Sequence, residues 1–416
     1  MIWDADTGSQ IGKTLIKHKQ WITQLAWEPL HKDPSCRYLA SAGKDGNIHI
    51  WDTIQGYVVR SLNGHTASVT CIRWGGEGLI YSGSQDRTVK VWRAKDGIIC
   101  RNLVGHAHWI NTLALNTDYV LRTSCFDPSV GCDRPAKEQY QEIAHRRYED
   151  TLRICGGERL VSGSDDFTLI LWNPSESKTA VARLTGHQQL VNQVMFSPDT
   201  RYIASASFDK SVKLWCGRTG NFIASLRGHV NAVYQVSWSA DSRLLVSGSA
   251  DSTLKVWEVR NRRLYFDLPG HGDEVYTVDW SPEGTKVVSG GKDKVLKLWR
   301  QGHVNAVYQV SWSADSRLLV SGSADSTLKV WEVRNRRLYF DLPGHGDEVY
   351  TVDWSPEGTK LHARSVVKWN EQVNSTEVDQ RRDLHFVFLY KSKAKESSSE
   401  KMWRESEMWK KCGSNV

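Results

Sequence analysis

The chain has 416 residues, a formal net charge of +7, eight Cys and 19 Trp. That length buries a large core or several small ones, and no run of 18 apolar residues offers a membrane-crossing helix. The mild basic balance lacks a domain-wide block outside the tail and reads as a solvated surface before a nucleic-acid footprint, and Cys without CxxC or Cys/His metal spacing fit a reducing, intracellular compartment.

The N-terminal MIWDADTG has no signal-peptide pattern. Ile2-Trp3-Asp4 reads as the end of a third strand, 10–16 as a fourth strand, and His18 as the opening of the next unit. The chain thus starts in mid-repeat. From there Gly-His recurs at 64–65, 105–106, 186–187, 228–229, 270–271, 302–303 and 344–345. A Trp closes the units, as Trp51, Trp92, Trp172, Trp215, Trp257, Trp299 and Trp331. The spacing from His to Trp is 28 residues for His187–Trp215, His229–Trp257, His271–Trp299 and His303–Trp331.

The clearest unit is 228–257. Three apolar, β-branched runs (233–238, 244–249 and 253–257) are separated by polar turns, and a fourth run, 264–268, precedes the next Gly-His. Four antiparallel strands in about 42 residues match a WD40 propeller blade. The fold class is therefore all-β, a propeller of about seven four-stranded blades, imperfectly closed, with a poorly structured C-terminal tail.

The unit after His106 is long: 66 residues separate it from Trp172. The excess, 116–158, contains PAKEQYQEIAHRRYED, which fits either a short charged helix at 136–151 projecting from the propeller or a mobile surface loop. Cys71 and Cys100 fall in strand runs and read as buried thiols.

After Trp299 the fourth strand is missing, because Arg300-Gln301 leads at once into Gly302-His303. Two or three residues span about 10 Å, too little for a strand of about 17 Å, so Gly302 is not expected to open an ordinary blade. Residues 302–360 moreover repeat 228–286 identically, whereas the other repeats have diverged. Such a copy is a very recent duplication or an error in the assembled gene, the second being favoured. The chain divides into a propeller at 1–301 (partial first blade at 1–16, insertion at 116–158), the copied block at 302–360 and a charged tail at 361–416.

Each unit carries a His, an Asp in the turn before the third strand (Asp45, Asp86, Asp166, Asp209, Asp251, Asp293 and Asp325) and the closing Trp. A catalytic set is needed once, so recurrence argues for scaffold, and no catalytic, metal or cofactor residue is assigned. Imidazole, carboxylate, hydroxyl and indole N–H can satisfy one another in a buried chain. Likeness to WD40 proteins implies this role for Ser247, His229, Asp251 and Trp257. It extends to His65, Asp86, Trp92, His187, Asp209, Trp215, His271, Asp293 and Trp299.

Binding is expected on the rim. Three residues after each unit's His stand Trp21, Ser68, Trp109, Leu190, Ala232 and Glu274, and Lys44, Arg87, Phe167, Phe208 and Lys294 flank the turn Asp. Trp21, Arg87, Trp109, Phe167 and Phe208 are of the types that anchor interfaces and form the expected partner patch; rim packing without a partner is the alternative.

Several stretches resemble the Notchless family: WEPLH (27–31), CIRWGGEGLIYSGSQDRTVKVWRAKDG (71–97), LVSGSDDFTLILWNP (160–174), SASFDKSVKLW (205–215), 225–259 and 268–300. The resemblance covers about residues 2–301. It implies a non-enzymatic, eight-bladed propeller behind a ubiquitin-like domain, acting in the nucleus and nucleolus in 60S ribosomal subunit assembly. It also implies docking on pre-60S particle proteins and a link to Notch signalling, with rRNA as a further candidate partner. A midasin-type AAA ATPase grips the ubiquitin-like domain of such proteins, so it is a partner only of a chain carrying that domain, which this sequence lacks. No membrane is implied. An adaptor in signalling or ubiquitin ligation, and a direct RNA binder using Arg134, Arg146, Arg147, Arg153 and the tail, are the rival readings. Closure of the last blade by 10–16 would give six blades without the copy, or seven with it.

Overall fold

The computed structural model describes residues 1–4, 7–127, 136–284, 286–298, 304–305, 307–323, 328–332, 337–342, 349–356, 360–365 and 391–392. Trp299, His303, Asp325 and most of the tail lie outside the described residues.

Seven four-stranded antiparallel sheets and one three-stranded sheet form the propeller among the described residues. Blade 1 is Ile22–Trp27, Tyr38–Gly43, Asn47–Asp52 and Tyr57–Asn63. Blade 2 is Val69–Trp74, Leu79–Ser84, Thr88–Arg93 and Ile99–Val104. Blade 3 is Ile110–Leu115, Leu160–Ser164, Leu169–Trp172 and Ala180–Leu184. Blade 4 is Val191–Phe196, Tyr202–Ser207, Ser211–Cys216 and Phe222–Arg227. Blade 5 is Val233–Trp238, Leu244–Ser249, Thr253–Glu258 and Arg263–Pro269. Blade 6 has three strands, Val275–Trp280, Val287–Gly291 and Leu296–Lys297. Blade 7 is Val307–Trp312, Leu318–Ser323, Leu328–Glu332 and Arg337–Leu342.

Blade 8 joins the two ends of the described chain. Val349–Trp354 and Lys360–Ser365 are its inner strands, and Ile2–Asp4 and Gln10–Ile11 its outer ones. Ile2 pairs with His362 and Asp4 with Lys360. The innermost strands of neighbouring blades pack in sequence, and that of blade 8 meets blade 1, so the ring closes. Closure therefore differs from the expectation. The N-terminal strands complete the blade that the copied block opens, not the one preceding Trp299. The reason is strand arithmetic: Val349–Trp354 of the copy and Lys360–Ser365, which begins at the copy's last residue and continues into the tail, make two inner strands with no outer pair, and the N-terminus offers an outer pair and no inner one. A blade also follows Lys297 despite the missing fourth strand, because ring contact runs through the innermost strands and not the outermost.

The innermost strands share a device that holds blade to blade. Their pairing with the second strand shifts register after the first residue, as between Ile22 and Gln24 or Val191 and Gln193. The extra residue of such a bulge is aimed away from its own ladder. Here it reaches the neighbour: Thr23 Oγ1 donates to Val69 O at 2.7 Å, and Asn192 Nδ2 to Tyr234 O at 2.6 Å. The next residue adds a second stitch, with Gln193 Oε1 accepting from Val236 N–H at 2.7 Å and Gln235 Oε1 from Val278 N–H at 2.9 Å. Close approach also explains Gly248: a Cβ there would meet Val278 Cγ1 of blade 6 at 2.8 Å. Between blades the cores are aliphatic, capped by Trp side chains such as Trp92, Trp172 and Trp215, each almost fully buried. Cys71 is buried, but Cys100 is exposed, because an outermost strand buries alternate residues only.

The insertion carries two helices, α1 (Asp118–Thr123) and α2 (Tyr140–Cys155). The helix does not project. Tyr140, Ala144 and Tyr148 are buried, and Tyr140 and Ala144 join a core with Ile22, Leu25, Trp27 and Leu30 of blade 1. Apolar positions at i, i+4 and i+8 give α2 its buried stripe. Gly156 then ends it at φ +72°, a conformation suited to a helix C-terminus.

Candidate partner-binding face

The recurring His, Asp, Ser and Trp meet within each blade. In blade 5 Trp257 Nε1–H donates to Ser247 Oγ at 2.8 Å, Ser247 Oγ lies 2.7 Å from His229 Nε2, and His229 Nδ1 lies 2.8 Å from Asp251. Blades 1 to 4 repeat the chain with His18, Ser41, Asp45 and Trp51; His65, Ser82, Asp86 and Trp92; His106, Ser162, Asp166 and Trp172; and His187, Ser205, Asp209 and Trp215. Blade 6 has His271, Ser289 and Asp293.

Each carboxylate accepts more than the imidazole bond. Burial would raise the Asp45 carboxyl, but hydrogen bonds from His18 and from Lys19 and Asn47 N–H outweigh it and hold the group at about 2. The same balance depresses Asp86, Asp166, Asp209, Asp251 and Asp293. With the carboxylate at His Nδ1, the Ser hydroxyl at His Nε2 and the Trp N–H donating to that hydroxyl, no group of the tetrad is short of a partner. The Ser hydroxyls are buried, so the resemblance to a nucleophilic triad is one of composition, without substrate access. His18, Asp45 and His49 bring ligand-type atoms within 4.8 Å of one another. Both His18 nitrogens are committed to Asp45 and Ser41, however, and His49 Nδ1 lies 2.9 Å from Ser61 Oγ, so the cluster serves the same strand-tying role.

The tetrads sit beneath one face, where the Gly-His segments and the Asp turns emerge. A second recurring bond brings the two together: the residue preceding each turn Asp donates its backbone N–H to the carbonyl three residues after the His. Lys44 bonds Trp21 in this way at 2.7 Å, Asp165 bonds Trp109 at 2.9 Å, and Phe208 bonds Leu190 at 3.2 Å. The sequence positions singled out for binding are thus neighbours on one rim.

Trp21 is 45% exposed, lines the mouth of the central channel, and holds Lys44 Nζ 4.4 Å from its ring centroid. Phe167 is 46% exposed, and Arg87 is exposed. Both have positive φ, 68° and 70°, which turns their side chains out of the blade. Trp109 is half-buried beside His108, with centroids 5.2 Å apart, and Phe208 meets Tyr234 edge-on at 5.6 Å. The five residues spread over blades 1 to 4; Trp21 lines the channel, and the other four stand farther out.

Sequence reasoning missed the continuation of this rim. Tyr234 and Tyr276 line the channel with ring centroids 5.3 Å apart, and Tyr234 OH donates to Glu274 at 3.1 Å, to which Lys292 Nζ also donates at 3.2 Å. Burial, then Glu274, pushes both phenols up. The signal was present, since these Tyr occupy the bulge position where blades 1 to 4 carry Thr or Asn.

The channel encloses about 430 Å³ and crosses the whole ring. At the opposite face α1 stretches over it. Arg122 forks onto Asp279 of blade 6, and Tyr119 OH donates to Pro282 O at 3.1 Å.

Comparison with known proteins places this geometry. The family described as "WD domain, G-beta repeat" matches residues 9–52, 56–93, 178–216, 220–258, 262–300 and 300–332. Protein Notchless of Drosophila melanogaster is 56% identical over 202 residues, 47% of this chain and 41% of that protein. Notchless protein homolog of Arabidopsis thaliana is 58% identical over 221 residues, 53% of this chain and 46% of its own length. Ribosome assembly protein 4 of Saccharomyces cerevisiae is 54% identical over 225 residues, 53% and 44% respectively. The chain spans about half the length of the curated relatives it matches. Among solved structures, the computationally designed Ika8 protein superposes with a TM-score of 0.63 at 27% identity, covering 84% of this chain and 97% of that one. With repeats matched over more than half its length and tetrads in successive blades, the chain belongs to the WD40-repeat family and is, within it, similar to Notchless-type proteins.

Proposed function

We propose that the chain is a non-catalytic scaffold that acts in assembly of the large ribosomal subunit, docking on pre-60S particles in the nucleolus through its tetrad-side rim. The observation that carries this reading is the 54–58% identity to relatives named Notchless and Ribosome assembly protein 4. The rim supports it. Exposed Trp21, Phe167 and Arg87 are large side chains presented by turns whose backbone is fixed from below by the tetrads, so little ordering remains to be done on binding. Recruitment of a midasin-type ATPase is reserved for a polypeptide that carries a ubiquitin-like domain.

The test is sedimentation of the tagged chain from nuclear extract, with Trp109→Ala and Arg87→Glu as variants. The expected result is co-migration with pre-60S particles that both variants lose at unchanged melting temperature. Free migration of the parent chain, or recovery of ubiquitin-ligase or receptor subunits in place of large-subunit proteins, would replace this reading by the adaptor one. Loss of folding together with loss of binding would return the rim residues to a packing role.

A further inference from the structure

Blade 4 buries a lysine opposite a serine, where blade 5 buries the same lysine opposite an aspartate. In the third strand of blades 2, 4 and 5 a Lys stands two residues before the closing Trp, as Lys90, Lys213 and Lys255. Antiparallel pairing sets each against one residue of the outermost strand: Lys90 against Asn102, Lys213 against Ser225 and Lys255 against Asp267. The side chains meet across these pairs. Lys255 Nζ forms an ion pair with Asp267 at 2.5 Å, Lys90 Nζ donates to Asn102 Oδ1 at 3.2 Å, and Lys213 Nζ donates to Ser225 Oγ at 3.3 Å. Lys90 is only half-buried, so water can solvate its charge, whereas Lys213 and Lys255 are 7% and 6% exposed. Blade 7, a copy of blade 5, repeats the acidic pairing in register, Lys329 against Asp341.

Among the buried lysines Lys213, Lys255 and Lys329 of the described residues, Lys213 alone stands across from a neutral side chain. A buried ammonium without a counter-charge is costly, and its surroundings do not supply one. The titratable groups around it are Asp209 and His187 of the tetrad and Arg227 of the outermost strand. Asp209 is already bonded to His187, to the Ser211 hydroxyl and to Gln188 N–H. Burial lowers the Lys213 amine, Asp209 opposes that, and Arg227 adds to it. The Phe222 ring lies 5.7 Å from Nζ. Ser225 itself is half-buried on Phe222–Arg227, the edge strand of its sheet, and both ends of that strand are exposed.

We infer that Ser225 is a phosphorylation site, its phosphate taking the place across the strand pair that Asp267 fills in blade 5. A protein kinase supplies the group from ATP. The bond from the γ-phosphorus to the β,γ-bridging oxygen breaks, a bond to Ser225 Oγ forms, ADP leaves, and the hydroxyl proton passes to the kinase's catalytic carboxylate. The product carries about −1.5 to −2 charges at pH 7 and three acceptor oxygens. Lys213 Nζ already stands within reach of Oγ, and Arg227, two residues on along the strand, lies on the same face. Both would give charge-assisted hydrogen bonds to the phosphate. An edge strand has one neighbour to leave, so the segment can be offered to a kinase in extended form without opening the blade's inner strands. Ser61 holds the same register in blade 1 but faces the His49 imidazole, 2.9 Å away, and has no buried ammonium to neutralise. Phosphorylation of Ser225 neither needs nor follows from docking on pre-60S particles.

The experiment has two arms. In the first, the full chain is purified from eukaryotic cells with phosphatase inhibitors present and digested with trypsin, which releases 219–227 as TGNFIASLR. Fragmentation is expected to place a phosphate on Ser225. An unmodified peptide, or phosphate on Thr219 alone, would overturn the site. In the second, phosphoserine is installed at position 225 during translation of the full chain. Near pH 7.5 the phosphorylated chain is expected to melt at least about 2 °C above the unmodified one. A folded-state phosphate held by Lys213 titrates below its unfolded value of about 6, so the gain is present above that pH and should shrink near pH 5. In the Lys213→Met background the gain should vanish, and in Lys90→Met it should persist. No rise in melting temperature, or a rise that survives Lys213→Met, would overturn the pairing with the buried lysine.

Discussion

Arg122 Nη1 and Nη2 lie 3.0 and 2.9 Å from the two carboxylate oxygens of Asp279, joining the insertion of blade 3 to the inner strand of blade 6 across the central channel. The fork is two-pronged, so it fixes orientation as well as charge. Asp279 is mostly buried, and removing the arginine would strand its charge. Arg122→Ala is expected to lower the unfolding free energy by about 2–3 kcal/mol, at the lower end for a broken buried pair because Arg122 is a third exposed. The double variant R122M/D279N should recover more than half of that in chemical denaturation. Additive losses would show that the pair is not energetically coupled.

Asp353 stands near the same arginine on blade 8. Burial raises its carboxyl to about 7, against the opposing pull of Trp354 N–H, Arg122 and Arg73. A raised carboxyl is protonated more readily in the folded than in the unfolded chain. Its contribution is complete below about pH 4 and is lost as pH climbs through about 7. Asp353→Asn should therefore leave stability unchanged at pH 4 and raise it at pH 8, by at most about 4 kcal/mol. A variant no more stable at pH 8 would mean that the inner strand of blade 8 tolerates the charge.

The tetrads set the opposite dependence. Asp45 sits at about 2, and Asp86, Asp166, Asp209, Asp251 and Asp293 are also depressed, so their stabilisation is present above about pH 4 and lost as pH falls toward 2. Urea midpoints should drop steeply over that window, and Asp251→Asn should flatten the drop. Ser247→Ala removes the acceptor of Trp257 and should cost about 1–3 kcal/mol at neutral pH.

The turn after each tetrad Asp needs a left-handed residue. Gly46 occupies it in blade 1 at φ +76°, and Lys210 in blade 4 at φ +68°. A side chain in that region costs about 1–2 kcal/mol, partly offset by the entropy that glycine loses on folding. Gly46→Ala should lower the midpoint, more so because its Cβ would lie 3.2 Å from Ala67 O. Lys210→Gly should raise the midpoint slightly or leave it unmoved. A clear loss in the lysine variant would show that its side chain contributes packing.

The repeats were legible because a tetrad demands its four residue types at fixed spacing, so His229, Ser247, Asp251 and Trp257 report strand positions directly. Closure was not. Pairing of Ile2 with His362 links positions 360 residues apart through strands of three to six residues, and nothing local encodes it. The insertion reads equally as a short helix at 136–151 or a loop, and the docking of α2 depends on Gly75-Gly76 in blade 2, which reads from sequence as an ordinary turn. The rim was half legible, since Trp21 and Phe167 stand at repeat-defined positions whereas Tyr234 and Tyr276 occupy a bulge.

Docking of α2 rests on one buried carboxylate. Glu158 accepts from Gly76 N–H at 3.0 Å, Thr117 OH at 2.8 Å, Tyr81 OH at 2.9 Å and Tyr148 OH at 3.3 Å. Burial raises the carboxyl, and the bonds from Gly76, Thr117 and Tyr81 counter it. Glu158→Ala would leave three hydroxyls and an N–H without their acceptor, at about 1–3 kcal/mol for each group that stays dry. Gly76→Ala acts sterically, because a Cβ there would fall 2.2 Å from the Tyr148 ring. Both variants should release α2 while the blades persist. Hydrogen exchange should then rise across Tyr140–Cys155 and stay low in Val233–Trp238. Uniform acceleration in both segments would instead make the insertion part of the propeller's single cooperative unit.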